Sequence, residues 1–420
     1  MSVHVRDRLL GEMVSLRIVD CHSHTQLRRQ YYALAERNLF NVTSYFAREV
    51  QALLGAPDKT YEVLFADCRT DEERWALLRR AIGHAGNTSY WRHNVVMYQK
   101  LFGLQGGDLT EANWRTVNEA IKARTADPDW YRHVTEDLCG LRTQIRNVPW
   151  YEDWEPEFFT CILRMEPALQ LLQAATRTQL EAHLNRSFHN LATLKDGLVA
   201  FTEEYNAKGN RGLKLAHAYQ RTLASEDVPQ SVAAAIYDKA LRGDAITPQE
   251  EKQFQDHIIF FLGAMAEEMG LVFQIHTGVQ GNWGWVPHSD PLLLLPLISK
   301  YRQVKFDLFH AGYPYIRESG MLGKHWSNVY LNMAWMYVIS MEGSRQGLSE
   351  WIDLLPGSRI LGFGSDVGWP EMIYAHLVMA RSCLADVLAA KVERDFLSER
   401  AAIDLLHKML HDNAVELYKL

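Results

Sequence analysis

Residues 249–278 read QEEKQFQDHIIFFLGAMAEEMGLVFQIHTG. Twenty-two residues of helical apolar spacing end at a glycine. They are followed by a short apolar run that stops at His276, and this order decides the fold. A helix leading straight into a nearly continuous apolar strand is the signature of a parallel βαβ unit, whose strands are covered on the sheet faces by helices. The same unit recurs downstream: DPLLLLPLISKYR is helical and VKFDLFHAG is a strand; YIRESGMLGKHW is helical and NVYLNMAW is a strand. GLSEWIDLLPG then leads into RILGFGSD, and PEMIYAHLVMARSCLADVLAAK closes the series as a helix.

Upstream, strands are expected at RGLKLA, FFTCILRME and LRTQIRNV, and a long helix from Glu181 to Tyr205. The first strand runs into the stretch IVDCHSHT, residues 18–25. The eight strands fall at 17–22, 141–148, 158–166, 211–216, 271–276, 304–310, 328–335 and 359–365. Eight such units predict an α/β chain of the (β/α)8 barrel class, with functional groups at the C-terminal strand ends. An open doubly wound sheet would carry a glycine-rich phosphate loop after its first strand. None is present. Between the first two strands the chain is rich in Trp, Tyr, Arg and Glu at helical spacing, as in WALLRRAIGHA. Residues 27–138 are therefore expected to be a helical insertion into a barrel made of 1–26 and 139–420.

Composition limits the remaining choices. The 420 residues are 47% hydrophobic and 11% aromatic, enough to bury a large core, with a net charge of −7 and no basic cluster to suggest a nucleic-acid surface. Cys21, Cys68, Cys139, Cys161 and Cys383 are odd in number and scattered, which suits a reducing, cytoplasmic setting rather than a disulfide scaffold. Charges interrupt every apolar stretch near the N-terminus, and no run reaches the ~18 apolar residues of a bilayer span. A small-molecule substrate is expected, with no nucleic acid and no membrane, in a chain of the kind that often forms homo-oligomers.

The strand ends carry the chemistry. His22 and His24 stand one residue apart at the end of the first strand, on the same face by strand alternation. Lys214 ends the fourth strand, His276 the fifth and His310 the sixth, and Asp366 follows the eighth. Singly, each has an ordinary reading, such as a buried histidine bonded to backbone or an aspartate capping the helix PEMIYAHL. Jointly, one requirement, a metal ion at the barrel mouth, accounts for all of them. Arg164, Glu166, Tyr219, Arg221, Trp285, Tyr315, Arg317, Trp335 and Trp369 lie at or just beyond strand ends. Of these, Arg164, Tyr219, Arg221, Tyr315, Arg317 and Trp285 are the expected substrate contacts, since a guanidinium matches a carboxylate bidentately.

These residues resemble the amidohydrolase superfamily, whose barrel carries His-x-His after strand one, histidines after strands five and six, and an aspartate after strand eight. LRME, GLKLAHAY, IHTGVQGNW, HAGYPYIRESGML, NVYLNMAW and ILGFGSDVGWPE are similar to the amidohydrolase-2 branch, especially the amidohydrolase-like domain fused to some glutamine synthetases. SYWRHNVVMYQKLFGL and LTEANWRTVNEAI resemble the helical insertion of uronate isomerases. Uronate isomerases place an arginine shortly after the strand-five histidine, where this chain has VQGNWG.

The resemblance implies a divalent ion, zinc ahead of manganese, held by His22, His24, His276 and Asp366. Such an ion lowers the pKa of water from ~15.7 toward ~7. Asp366 would serve as general base, His310 would orient water or stabilise charge on the substrate carbonyl, and Lys214 would be a cation for the substrate or, if carboxylated, a bridge between two ions. One ion is expected rather than two. The implied activity is hydrolysis of a C–N or C–O bond in a small, carboxylate-bearing molecule. Non-oxidative decarboxylation and uronate isomerisation are the alternatives.

Overall fold

The computed structural model describes residues 3–43, 45–55, 64–281 and 284–420. The strands are β1 (Ile18–Ser23), β2 (Leu141–Val148), β3 (Phe159–Arg164), β4 (Gly212–Leu215), β5 (Val272–Ile275), β6 (Lys305–Leu308), β7 (Val329–Asn332) and β8 (Ile360–Leu361). They form one eight-stranded sheet in the order β1 to β8, the topology of a (β/α)8 barrel. All eight expected strands are present: β2 has its expected bounds, β1 is shifted by one residue, and the other six are shorter at both ends. The chain divides into two compact units, one of 1–143, 334–349 and 363–407 and the other of 144–333, 350–362 and 408–420.

In the first unit, the described residues between β1 and β2 contain helices and no strand. The helix Asp71–Ala85 starts at Thr70, whose side chain accepts from the Glu73 amide while Glu73 reaches back to the cap, a reciprocal pair that satisfies two otherwise orphaned donors. Aromatic rings fill the space between helices: Trp75 stacks on Trp114 with centroids 5.5 Å apart, and Phe46 lies 4.8 Å from Trp91. The helix Pro370–Glu393 is long and apolar enough to cross a bilayer by composition, but most of its apolar window is buried in the protein, as befits a core helix.

In the second unit, β2 to β8 pair in parallel, each with the next. Gly212 opens β4 because a Cβ there would sit 2.4 Å from the Val272 carbonyl oxygen. The helix Pro248–Met269 is capped by Thr247 and Glu250 and ends at a left-handed Gly270, as its sequence predicts. The single helix expected from Glu181 to Tyr205 is instead two, Ala174–Leu184 and Leu191–Ala207. Asn185 takes up a left-handed conformation that ends the first, and Asn190 caps the second; asparagine suits both tasks through its short polar side chain.

Parallel register aligns Lys214 with Gln274 and Gln274 with Asp307, all buried. Asn147 donates to Gln274 at 3.0 Å, and Asn332 donates to Asp307 Oδ2 at 3.1 Å. Tyr418, from the last helix, donates its hydroxyl to the same oxygen. Asp307 Oδ1 has no hydrogen-bond partner among the described residues. Burial pushes the Asp307 carboxyl up to about 7, against the lowering pull of the Tyr418 and Asn332 donors and the Lys214 charge. The folded chain therefore keeps a proton that the unfolded chain releases near pH 3.8, so this group's contribution to stability is full below that value and is lost as pH rises toward 7. Urea unfolding at pH 5, 6 and 7 is expected to show the wild type losing about 1 kcal/mol per pH unit relative to Asp307→Asn. A pH-independent difference between the two would count against a protonated Asp307.

Candidate metal centre

His22 is the next-to-last residue of β1, and His24 follows the strand. Alternation puts the two imidazoles on one face, with ring centroids 4.7 Å apart and planes at 81°. Asp366 lies five residues beyond β8, on backbone with φ of +53°. Its Oδ1 is 3.1 Å from His22 Nε2 and 3.2 Å from His24 Nε2, and its amide donates to the His22 carbonyl at 2.8 Å. The ligand-capable atoms of the three residues all lie within 4.8 Å of one another.

Two nitrogens and one oxygen so arranged fit a borderline ion such as Zn²⁺. Bonds of ~2.0–2.2 Å at tetrahedral angles space ligand atoms about 3.3–3.6 Å apart, so the observed cluster has to open by only a few tenths of an ångström. The side chains of His22 and Asp366 are buried, at 1% and 9% exposure, while His24 is 43% exposed. The cluster is thus walled on two sides and open toward solvent at His24.

In the second unit, His276 directly follows β5 and His310 lies two residues beyond β6. His276 Nε2 is 2.8 Å from the Val279 carbonyl oxygen. A carbonyl only accepts, so this nitrogen carries the proton and Nδ1 is the lone-pair side of the neutral ring. That Nδ1 faces His310 Nε2 at 3.0 Å, with the two rings 4.3 Å apart. Lys214, 2% exposed, places its Nζ 3.5 Å from the centre of the Phe309 ring. Tyr219 lies with its ring 4.7 Å from His276 and accepts at its hydroxyl from the Gly281 amide. Arg164 pairs with Glu166 at 3.2 Å, and Glu166 also accepts from the Ala216 amide at 2.7 Å. Arg164 and Lys214 are register partners on β3 and β4.

The structure gives other expected substrate contacts different surroundings. The Arg221 guanidinium is held by buried Asp256 at 2.5 Å and also donates to Gln255 and the Ala224 carbonyl, which makes it part of a packed ion pair. Arg317 is 80% exposed and forms a fork with Glu350 on a neighbouring helix. Tyr315 caps the helix Ile316–His325, with its amide donating to the Gly312 carbonyl. Trp285 is 67% exposed, its ring 6.0 Å from His288. Trp335 packs 5.5 Å from Tyr45, and Trp369 packs 6.1 Å from Tyr31.

The strand-end reading passed over one residue, His217. It is buried just past β4, and neither ring nitrogen has a hydrogen-bond partner among the described residues. Burial, reinforced by the Arg221 charge, holds its pKa down at about 3, so the ring is neutral at physiological pH. The available signal is a histidine in the apolar run LAHAY, three residues after Lys214.

Residues 216–420 match the family model described as amidohydrolase. The protein fluG of Emericella nidulans is 28% identical over 181 residues, which is 41% of this chain and 21% of that protein. A uronate isomerase of Nostoc punctiforme is 26% identical over 262 residues, 58% of this chain and 55% of its own. The chain thus spans about a fifth of the first relative and about half of the second. The crystal structure of a glucuronate isomerase from Caulobacter crescentus superposes with a TM-score of 0.82 over 99% of this chain and 94% of that one at 17% identity, a likeness of fold.

Titration with Zn²⁺ or Mn²⁺ is expected to show one equivalent bound per chain, with affinity at least tenfold weaker in His22→Ala and in Asp366→Ala. Unchanged binding in both variants would reject this cluster as the metal centre.

Proposed function

We propose that the chain is an amidohydrolase-type, metal-dependent hydrolase with one divalent ion, zinc ahead of manganese, held by His22, His24 and Asp366, a reading supported by the match of residues 216–420 to the amidohydrolase model. It attacks a C–N or C–O bond of a small, carboxylate-bearing molecule. The observation that carries this reading is the single Asp366 oxygen within 3.2 Å of both imidazoles. A divalent ion bound there polarises a carbonyl group and makes water acidic near neutral pH.

The chain's own residues supply the rest. The Asp366 carboxylate has a second oxygen, suited to take the proton from an attacking water and pass it to the leaving group. His276, expected as a fourth ligand, has its Nδ1 engaged by His310 Nε2, so the proposed ligand set is His22, His24 and Asp366 and the two imidazoles form a hydrogen-bonded pair of their own. Lys214, its Nζ against the Phe309 ring, and Arg164 beside it in register offer positive charge suited to a substrate carboxylate.

Uronate isomerisation is the second reading, favoured by the names of the Nostoc relative and the Caulobacter structure. Against it stands the loop after His276: where uronate isomerases carry an arginine, the described residues include Gln280, neutral, buried and donating to the Ala218 carbonyl at 2.6 Å.

A screen of small amides, lactams, lactones, aromatic acids and hexuronates with added Zn²⁺ or Mn²⁺ in ¹⁸O-water separates the readings. Hydrolysis is expected to place ¹⁸O in the product, to fall at least a hundredfold in Asp366→Asn and to show a KM at least tenfold higher in Lys214→Met. Conversion of hexuronates without change of mass would select isomerisation, release of CO₂ from aromatic acids would select decarboxylation, and either result would overturn the hydrolase assignment.

A further inference from the structure

We propose that Asp20 and His376 are positioning residues for the metal centre: together they clamp Ser365, the residue before Asp366, so that the Asp366 carboxylate is aimed at His22 and His24. The inference rests on the metal reading above and adds to it the groups that hold the ligands in place.

All three polar groups of Ser365 are engaged by buried side chains. Asp20 Oδ1 accepts from the Ser365 amide at 2.7 Å, and Asp20 Oδ2 accepts from the Ser365 hydroxyl at 2.5 Å. The Ser365 carbonyl accepts from His376 Nδ1 at 2.9 Å, which sets the His376 tautomer with its proton on Nδ1. Asp20, Ser365 and His376 are all fully buried, so these bonds form away from competing water.

The clamp reaches the ligands themselves. Asp20 Oδ1 also accepts from the His22 amide at 3.3 Å, and the Asp366 amide donates to the His22 carbonyl at 2.8 Å. One carboxylate thus ties the ligand-bearing end of β1 to the residue that precedes the third ligand.

Such a clamp has a task to perform here. Asp366 sits at φ +53°, in the small left-handed region that L-residues adopt seldom, and mostly at special sites. That conformation persists where the surroundings over-determine it. On the preceding side, Gly364 leaves no room for slack, because a Cβ there would meet the Ala334 Cβ at 2.7 Å and the His22 nitrogen at 3.2 Å. Gly364–Asp366 is therefore boxed in by contact and by hydrogen bonds from a β1 side chain and from the helix Pro370–Glu393.

The test uses the full-length protein and two variants that loosen different bonds, Ser365→Ala and Asp20→Asn. Co²⁺ serves as a spectroscopic probe, and affinity is read by competition with a chromophoric chelator. Partners behind metal ligands commonly contribute 10–100-fold in affinity. Ser365→Ala is expected to lose 10- to 100-fold in Co²⁺ and Zn²⁺ affinity and to change the visible absorption of bound Co²⁺, while its metal-free unfolding midpoint stays within a few degrees of wild type. Asp20→Asn is expected to do the same more strongly. Wild-type affinity and spectrum in Ser365→Ala would overturn the clamp. So would a collapsed metal-free midpoint in both variants, which would make these bonds folding contacts alone. Failure of the wild type to bind Co²⁺, or binding that survives His22→Ala, would reject the metal reading itself, an outcome distinct from normal binding by wild type and variants alike.

Discussion

A single carboxylate oxygen of Asp366, 3.1 and 3.2 Å from two imidazole nitrogens, is the contact on which the functional architecture turns. Its partners lie more than 340 residues earlier in the chain. Three strong polar groups at hydrogen-bond range, two of them buried, would be costly to desolvate unless each satisfied another or shared a cation. The arrangement is the one on which the proposed metal centre rests.

The barrel topology accomplishes this with little local specialisation. Parallel strands all finish at one face, so residues at or just beyond their ends gather there, whatever their separation in sequence. The short strands stop before the functional side chains: β5 ends one residue before His276, and β6 two before His310. His310 and Asp366 both occupy left-handed backbone, at φ of +60° and +53°. Such conformations cluster at functional sites because only a surrounding network can sustain them. For Asp366 that network is visible in the buried bonds from Asp20 and His376 to Ser365.

The match of residues 216–420 to the amidohydrolase family model accords with this picture and leaves the reaction open. The second unit gathers cationic and hydrogen-bonding groups near its own strand ends: Lys214 against Phe309, Arg164 with Glu166, and the His276–His310 pair.

The sequence by itself determined the eight strands, their order and the placing of His22, His24 and Asp366 at strand ends, because strand alternation and helical periodicity are local properties that side-chain chemistry writes directly into the chain. Only the tertiary structure decided the rest. Arg221 and Arg317 stand at strand-end positions as plausible as that of Arg164, but Asp256 and Glu350, 35 and 33 residues away, claim their guanidinium groups. Asp20 reads as one more polar residue in an apolar run until Ser365 is brought against it, and the apolar run around His217 hints at burial without showing what faces its ring. The physical reason is the same in each case: the role of a charge or a hydrogen-bonding group is set by what faces it, and for these residues the facing group is supplied by a distant part of the chain.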